Sequence, residues 1–172
     1  MAVYQVVMMG DPILRTVAPE VDTFGRDLKV LVHDMFETMY HEEGIGLAAP
    51  QIGISQRINV IDLRSEEEPE ARMALVNPEV VWTSEETDKK SEGCLSIPGL
   101  EEVVTRPSTV RVHGVGIDGN PMDLTVEGLL ARVLQHEIDH LDGILFVDRV
   151  SALKRRIPVS YTHLTLPTSD LV

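Results

Sequence analysis

The sequence predicts an α+β fold, with mainly antiparallel β-sheets packed around a central helix. Three observations lead there. Apolar residues recur at helical spacing near the N-terminus, and again around residue 135. Between these segments lies a series of short β-like runs separated by turn residues. The order helix, strands, helix, with no internal repeat or linker, fits one layered domain built on antiparallel sheet.

The elements follow in order. Gly10-Asp11-Pro12 is turn chemistry, and Val17-Ala18-Pro19 continues irregular structure. From Phe24 to Glu42, the residues Leu28, Leu31, Met35 and Met39 predict a helix. Asp22 or Thr23 is placed to cap it, and Gly44 to stop it. The Gly-, Ala- and Pro-rich segment Gly44 to Gly53 is too irregular for either period. Strands are predicted at Ile58 to Leu63, Met73 to Val76, Glu79 to Trp82, Val103 to Thr105, Val110 to His113 and Met122 to Val126. The last two read as a hairpin across Asp118-Gly119-Asn120-Pro121, and Arg64 to Arg72 reads as an exposed loop. A second helix is predicted from Glu127 to Leu141, capped by Thr125 and ended by Gly143, with Leu130, Val133, Leu134 and Leu141 on its buried face.

Composition narrows the function classes. At 172 residues the chain can bury a substantial core. Its net charge of -13 argues against generic nucleic-acid binding, which wants a basic face; Lys154-Arg155-Arg156 is the local exception. Glu66-Glu67-Glu68 reads as a solvated loop. One cysteine cannot form an internal disulfide, which fits a reducing compartment. The N-terminus lacks a secretion signal, and no apolar stretch approaches the roughly 20 residues that span a bilayer. A cytoplasmic protein without a membrane partner is expected.

The chemistry concentrates in His136-Glu137-Ile138-Asp139-His140. Positions i and i+4 differ by about 40° around a helix axis, so both imidazoles point the same way and can share one metal ion. Cys94, upstream in Glu92-Gly93-Cys94-Leu95-Ser96, supplies a third ligand and leaves a fourth position open, as a catalytic metal requires. One thiolate and two imidazoles suit iron(II), zinc, nickel or cobalt rather than magnesium or calcium. An ion so held lowers the pKa of bound water from about 15.7 towards 7. Glu137, between the two histidines, is then the natural acid/base for that water. The ring nitrogens facing away from the metal need oxygen partners, from Asp139, a backbone carbonyl or Glu92. Arg106 is placed to pair with Glu92 or Asp139. His33, His41, His113 and His163 have no such company and read as surface or packing residues.

Three motifs together carry a resemblance. Gly44-Ile45-Gly46-Leu47-Ala48-Ala49-Pro50-Gln51, then Glu92-Gly93-Cys94-Leu95-Ser96, then His136-Glu137-Ile138-Asp139-His140 resemble the signature motifs of peptide deformylase, in that family's order and at similar spacing. The short chain and the form Glu-Gly-Cys-Leu-Ser resemble the bacterial type I group. The resemblance implies hydrolysis of the N-formyl group from N-formylmethionyl nascent polypeptides, with release of formate. It implies Cys94, His136 and His140 as ligands of one divalent ion, natively iron(II), with Glu137 activating the metal-bound water. Gln51 and the backbone N–H of Leu95 would stabilise the oxyanion. The peptide would add as a strand beside Ile45 and Gly46, where Gly44 and Gly46 leave the backbone bare. Leu129, Val133, His136 and Gly93 would line the pocket for the methionine side chain.

The resemblance runs from the N-terminus to about Val150. Members of this type often continue into a basic helix that contacts the ribosome. Here Ser151 to Ile157 begins such a segment and Pro158 breaks it. Residues 1–157 are therefore read as the catalytic domain. Residues 158–172 are read as an atypical tail, either non-native and resembling an in-frame translation of a sequencing adaptor or a genuine short tail with no helix; either way ribosome docking is in doubt. Two other readings share part of the pattern. A zincin-like peptidase would keep Glu137 but take its third ligand from downstream. A binding protein without chemistry would need neither Glu137 nor Gln51.

Overall fold

The computed structural model describes residues 2–67 and 71–150. Among the described residues there are two α-helices, α1 (Arg26–His41) and α2 (Gly128–Leu141). Seven strands accompany them: β1 (Gly46–Ala48), β2 (Ile58–Asp62), β3 (Arg72–Thr83), β4 (Thr87–Cys94), β5 (Ile97–Pro107), β6 (Thr109–Val115) and β7 (Pro121–Glu127). All pairings are antiparallel. Five strands form one sheet in the order β1-β2-β3-β6-β7, and β4 with β5 forms a separate hairpin. The α+β class read from the sequence is what the chain adopts.

Strand alternation explains the layers. On one face of the large sheet, Leu47, Ile58, Val60 and Val76 meet Leu28, Val32, Met35, Phe36 and Met39 of α1. On the other face, Ile61, Leu75, Val110 and Val112 meet Ala131, Val133, Leu134 and Ile138 of α2. A third cluster, including Cys94, Ile97, Leu100 and Val104, ties the hairpin to Leu14 and to Leu145–Val150. Helix α2 therefore lies between the sheet and the hairpin, and every residue from Ala131 to Leu141 is buried. A helix buried on all sides is normally apolar. This one carries Arg132, Gln135, His136, Glu137, Asp139 and His140, so its polar groups must be answered from neighbouring elements.

Several local expectations are corrected. The irregular segment after α1 contains β1 at Gly46–Ala48 and a 3-10 turn at Ala49–Ile52; three residues are too few to show a period. Met73 to Val76 and Glu79 to Trp82 are one strand, β3, not two. The pairing with β6 shifts at Asn77-Pro78, where Asn77 takes a positive φ of 53°. Its amide is held by Val21, receiving from the N–H at 2.8 Å and donating to the C=O at 2.9 Å. Strand β4 has no sequence signal because Thr87 to Ser91 is polar, and Val103 to Thr105 is only part of the long β5. Neither Asp22 nor Thr23 caps α1; Gly25 holds that position without a side-chain bond. Glu43, not Gly44, adopts the left-handed conformation after α1. Thr125 lies inside β7, and Glu127 precedes α2 without capping it through its side chain. The basic run Lys154-Arg155-Arg156 and the tail 158–172 lie outside the described residues.

Gly143, after α2, has a φ of 73°. A Cβ there would lie 2.7 Å from the Arg15 carbonyl oxygen. The Gly143→Ala variant should lose about 1–3 kcal/mol of stability through backbone strain alone, with the clash adding to it. The midpoint of urea unfolding measures this, and an unchanged midpoint would contradict the account.

Candidate metal centre and active site

The site is assembled from α2, the β4–β5 hairpin and the β1 edge. His136 and His140 project from one face of α2, as their spacing requires. Cys94 closes β4, opposite Ile97, so Leu95-Ser96 forms the tip of the hairpin beside them. Cys94 Sγ lies 3.4 Å from His140 Nε2, and His140 Nε2 lies 3.2 Å from His136 Nε2. The three ligand atoms fall within 4.8 Å of one another, and all three residues are buried. One ion can be held by this set. Burial, then the charge of His136 and Arg106, pulls His140 well below the ordinary histidine range and keeps the imidazole neutral, as a ligand must be. Burial and the nearby Glu137 carboxylate push the Cys94 thiol up to about 12, so a cation is what would make a thiolate stable here.

Glu92 is the hub behind the ligands. Its carboxylate lies 3.0 Å from His136 Nδ1, 2.5 Å and 2.9 Å from two guanidinium nitrogens of Arg106, and 2.5 Å from Arg132 Nη1. Burial alone would raise the Glu92 pKa. Hydrogen bonds from His136 and Arg106, with the Arg106 charge, outweigh it and hold the group at about 2. Arg106 also donates to Asp139 at 3.0 Å, so it pairs with both carboxylates the sequence offered. Asp139 is held in turn by Arg149, at 2.7 Å and 3.1 Å.

Glu137 is fully buried, with neither oxygen hydrogen-bonded. Burial first, then the charges of Glu92 and Asp139, raises its pKa well above the usual carboxylate range. The carboxylate lies against β1: a Cβ on Gly46 would sit 2.5 Å from its Oε2. Glycine at 46 is therefore what leaves Glu137 its place. Gln51, also fully buried, accepts from the Ala48 N–H through Oε1 at 2.9 Å. That contact turns Nε2 towards the cluster, 3.5 Å from Cys94 Sγ and 3.2 Å from Ser96 Oγ.

Strand β1 is an edge of the large sheet. Ile45 C=O already receives the Asp62 N–H at 2.9 Å. Alternation then aims the N–H and C=O of Gly46 at the open side. Next to that edge is a pocket of about 330 Å³ lined by Ile45, Gly93, Leu129, Val133 and His136, together with Leu63, Ser91, Glu92 and Arg132. The residues assigned to a side-chain pocket from the sequence thus come together, with Leu129 on the rim at 55% exposed. Sequence reasoning missed Arg132. Its position four residues before His136 on a buried helix was the available signal. His33, His41 and His113 are exposed and away from the cluster, while His163 lies outside the described residues.

Comparison with known proteins gives the family. The family described as polypeptide deformylase matches residues 3–156. The chain belongs to the peptide deformylase family. It is 48% identical over 155 residues to the peptide deformylase of Acidobacterium capsulatum, covering 90% of this chain and 91% of that one. The peptide deformylase of Pseudomonas aeruginosa gives the same figures, 48% identity with 90% and 91% coverage. Among solved structures, a peptide deformylase from Legionella pneumophila superposes with a TM-score of 0.85 at 43% identity, over 94% of each chain. One from Synechococcus elongatus, in complex with actinonin, gives 0.85 at 39% identity over 96% of this chain and 92% of that one. Peptide deformylases are metal-dependent hydrolases that remove the N-formyl group from nascent peptides, and this chain is an enzyme of that family. No helix among the described residues is long and apolar enough to cross a membrane.

Two measurements test the hub. Arg106→Ala removes a cation from two buried carboxylates and should cost about 3–5 kcal/mol of stability. It should also weaken metal retention by about 10–100-fold, by chelator competition; unchanged metal content would remove Arg106 from this role. Because Glu92 is depressed from 4.5 to about 2, its contribution to stability is present above pH 4.5 and lost as the pH falls towards 2. Metal-free Glu92→Gln should therefore lose less stability than the unaltered protein over that interval, as read by unfolding at stepped pH.

Proposed function

We propose that this enzyme hydrolyses the formyl group of N-formylmethionyl peptides at the Cys94, His136 and His140 centre, with Glu137 as acid/base. The convergence of that ligand set, Glu137 and Gln51 Nε2 beside the open edge of β1 carries the reading. A divalent ion bound there, iron(II) natively, with zinc, nickel or cobalt as substitutes, would polarise the formyl carbonyl and acidify the attacking water.

The chain's own groups do the rest. The peptide pairs with Ile45 and Gly46 as an added strand, which fixes the scissile bond against α2. The methionine side chain enters the pocket lined by Gly93, Leu129, Val133 and His136. Glu137 takes the proton of the attacking water and delivers it to the leaving amine nitrogen. Its raised pKa suits a group that must both accept and return a proton. The Gln51 Nε2–H and the Leu95 backbone N–H donate to the oxyanion as it develops. Gln51 suits that role because Ala48 has already fixed its rotamer, so little order is lost on reaction. His136 is held by Glu92 throughout.

The whole catalytic set lies within residues 1–157, which we take as the catalytic domain, with 158–172 as a tail outside it. Formylated nascent peptides place the enzyme in the cytoplasm; neither nucleic-acid specificity nor a membrane is part of the reading, and ribosome docking is no part of the chemistry.

Formate release from a short formyl-Met peptide, by protein purified without oxygen, tests the proposal. Glu137→Gln should abolish release while the metal stays bound. Gln51→Leu should lower kcat by about 10²–10³-fold with a smaller change in KM. Metal-loaded protein that releases no formate would overturn the assignment.

A further inference from the structure

Among the described residues, five buried side-chain polar atoms have no hydrogen-bond partner: both oxygens of Glu137, Nδ1 of His140, and both Oδ1 and Nδ2 of Asn59. The Glu137 oxygens are answered by the reacting water and amine. The other three atoms are not answered by the chemistry. An unpaired buried amide costs about 1–3 kcal/mol, so an asparagine at 0% exposure near the start of β2 calls for a partner.

The register says where that partner lies. Ile58 and Val60 pack on the α1 side of the sheet and Ile61 on the α2 side. Alternation therefore turns Asn59 towards α2. At one end of β2, Arg57 Nη1 donates to the Leu141 carbonyl at 3.0 Å. At the other end, Ile61 pairs with Gly46, the residue beneath Glu137 and Val133. Asn59 pairs with Ala48, between those two points. It is thus level with the turn of α2 that runs from Glu137 to Leu141. His140 stands three residues after Glu137 and seven after Val133, on the stripe that faces β1. Its Nε2 is turned to Cys94 and His136, which aims Nδ1 away from the cluster. Metal-binding imidazoles almost always give their second N–H to an oxygen. His136 gives its own to Glu92; His140 has no such partner among the described residues.

We propose that Asn59 is the positioning residue for His140. Its Oδ1 receives the Nδ1–H through one buried water lodged between β2 and α2. The water accepts from Nδ1–H and donates to Oδ1, which meets the two-partner minimum of a stable buried water. The bridge fixes the tautomer with the proton on Nδ1 and the lone pair of Nε2 directed at the metal. This rests on the reading of His140 as a ligand.

Zinc-loaded protein labelled with ¹⁵N-histidine provides the test. The His140 Nδ1–H should be visible and slow to exchange. In Asn59→Leu it should shift and exchange faster, and zinc should pass to a chelator about 10-fold faster. The metal-free variant should unfold no earlier, because the unpartnered Nδ2 is removed along with the water-bridged Oδ1. Asn59→Asp, which keeps the acceptor, should retain the slow proton. A high-resolution structure of the unaltered zinc form should show a water within hydrogen-bond distance of both Asn59 Oδ1 and His140 Nδ1. An Asn59→Leu protein with the His140 proton and the zinc off-rate unchanged would overturn the inference. So would a fall in kcat alone with the metal equally retained, which would assign Asn59 to Glu137. No water between the two side chains would overturn it as well. Zinc that leaves the His136 and His140 resonances unmoved would overturn the ligand reading itself, and this inference with it.

Discussion

The Glu92 carboxylate, buried between α2 and the β4–β5 hairpin, is the interaction on which the rest of the structure depends. Arg106, Arg132 and His136 all turn to it. A charge taken so far from water is tolerable only with partners on every side. Once they are present, they join the hairpin to the helix that carries the histidines. The same contact orients His136 and seats Cys94 at the hairpin tip opposite it. Structure and site share one electrostatic solution, so damage to one should reach the other.

A helix buried from Ala131 to Leu141 gives the site its chemistry. Glu137 and His140 are cut off from bulk solvent, and burial shifts both towards their neutral forms. A neutral imidazole is a ligand, and a carboxyl with a raised pKa exchanges protons under conditions where an exposed glutamate stays ionised. Gly46 makes that burial possible without crowding, since any side chain there would displace Glu137. The bare strand that admits the carboxylate also leaves an edge where an extended peptide can pair.

Much of this was legible in the chain. The His136/His140 spacing is local geometry, and a helix converts it directly into a shared face. The strong periodicity of α1 and α2 placed both helices to within about two residues. The hairpin of β6 and β7 was marked by its turn residues. Strand β4 was hidden because its side chains are polar and its stability comes from pairing with β5. Strand β1 was hidden by its length. The continuity of β3 depends on Val21, more than fifty residues away in sequence, holding Asn77 in a conformation that reads as a turn.

The sequence by itself determined the class of fold and the residue types of the metal-binding cluster, because these follow from residue identity and from spacing within single elements. The tertiary structure decided what those residues are worth. It made Glu92 the shared partner of two arginines and a histidine and turned Gln51 inward through Ala48. These contacts join residues 3 to 44 positions apart. Beyond the first turn of chain they are set by sheet register and helix packing, which no local pattern encodes.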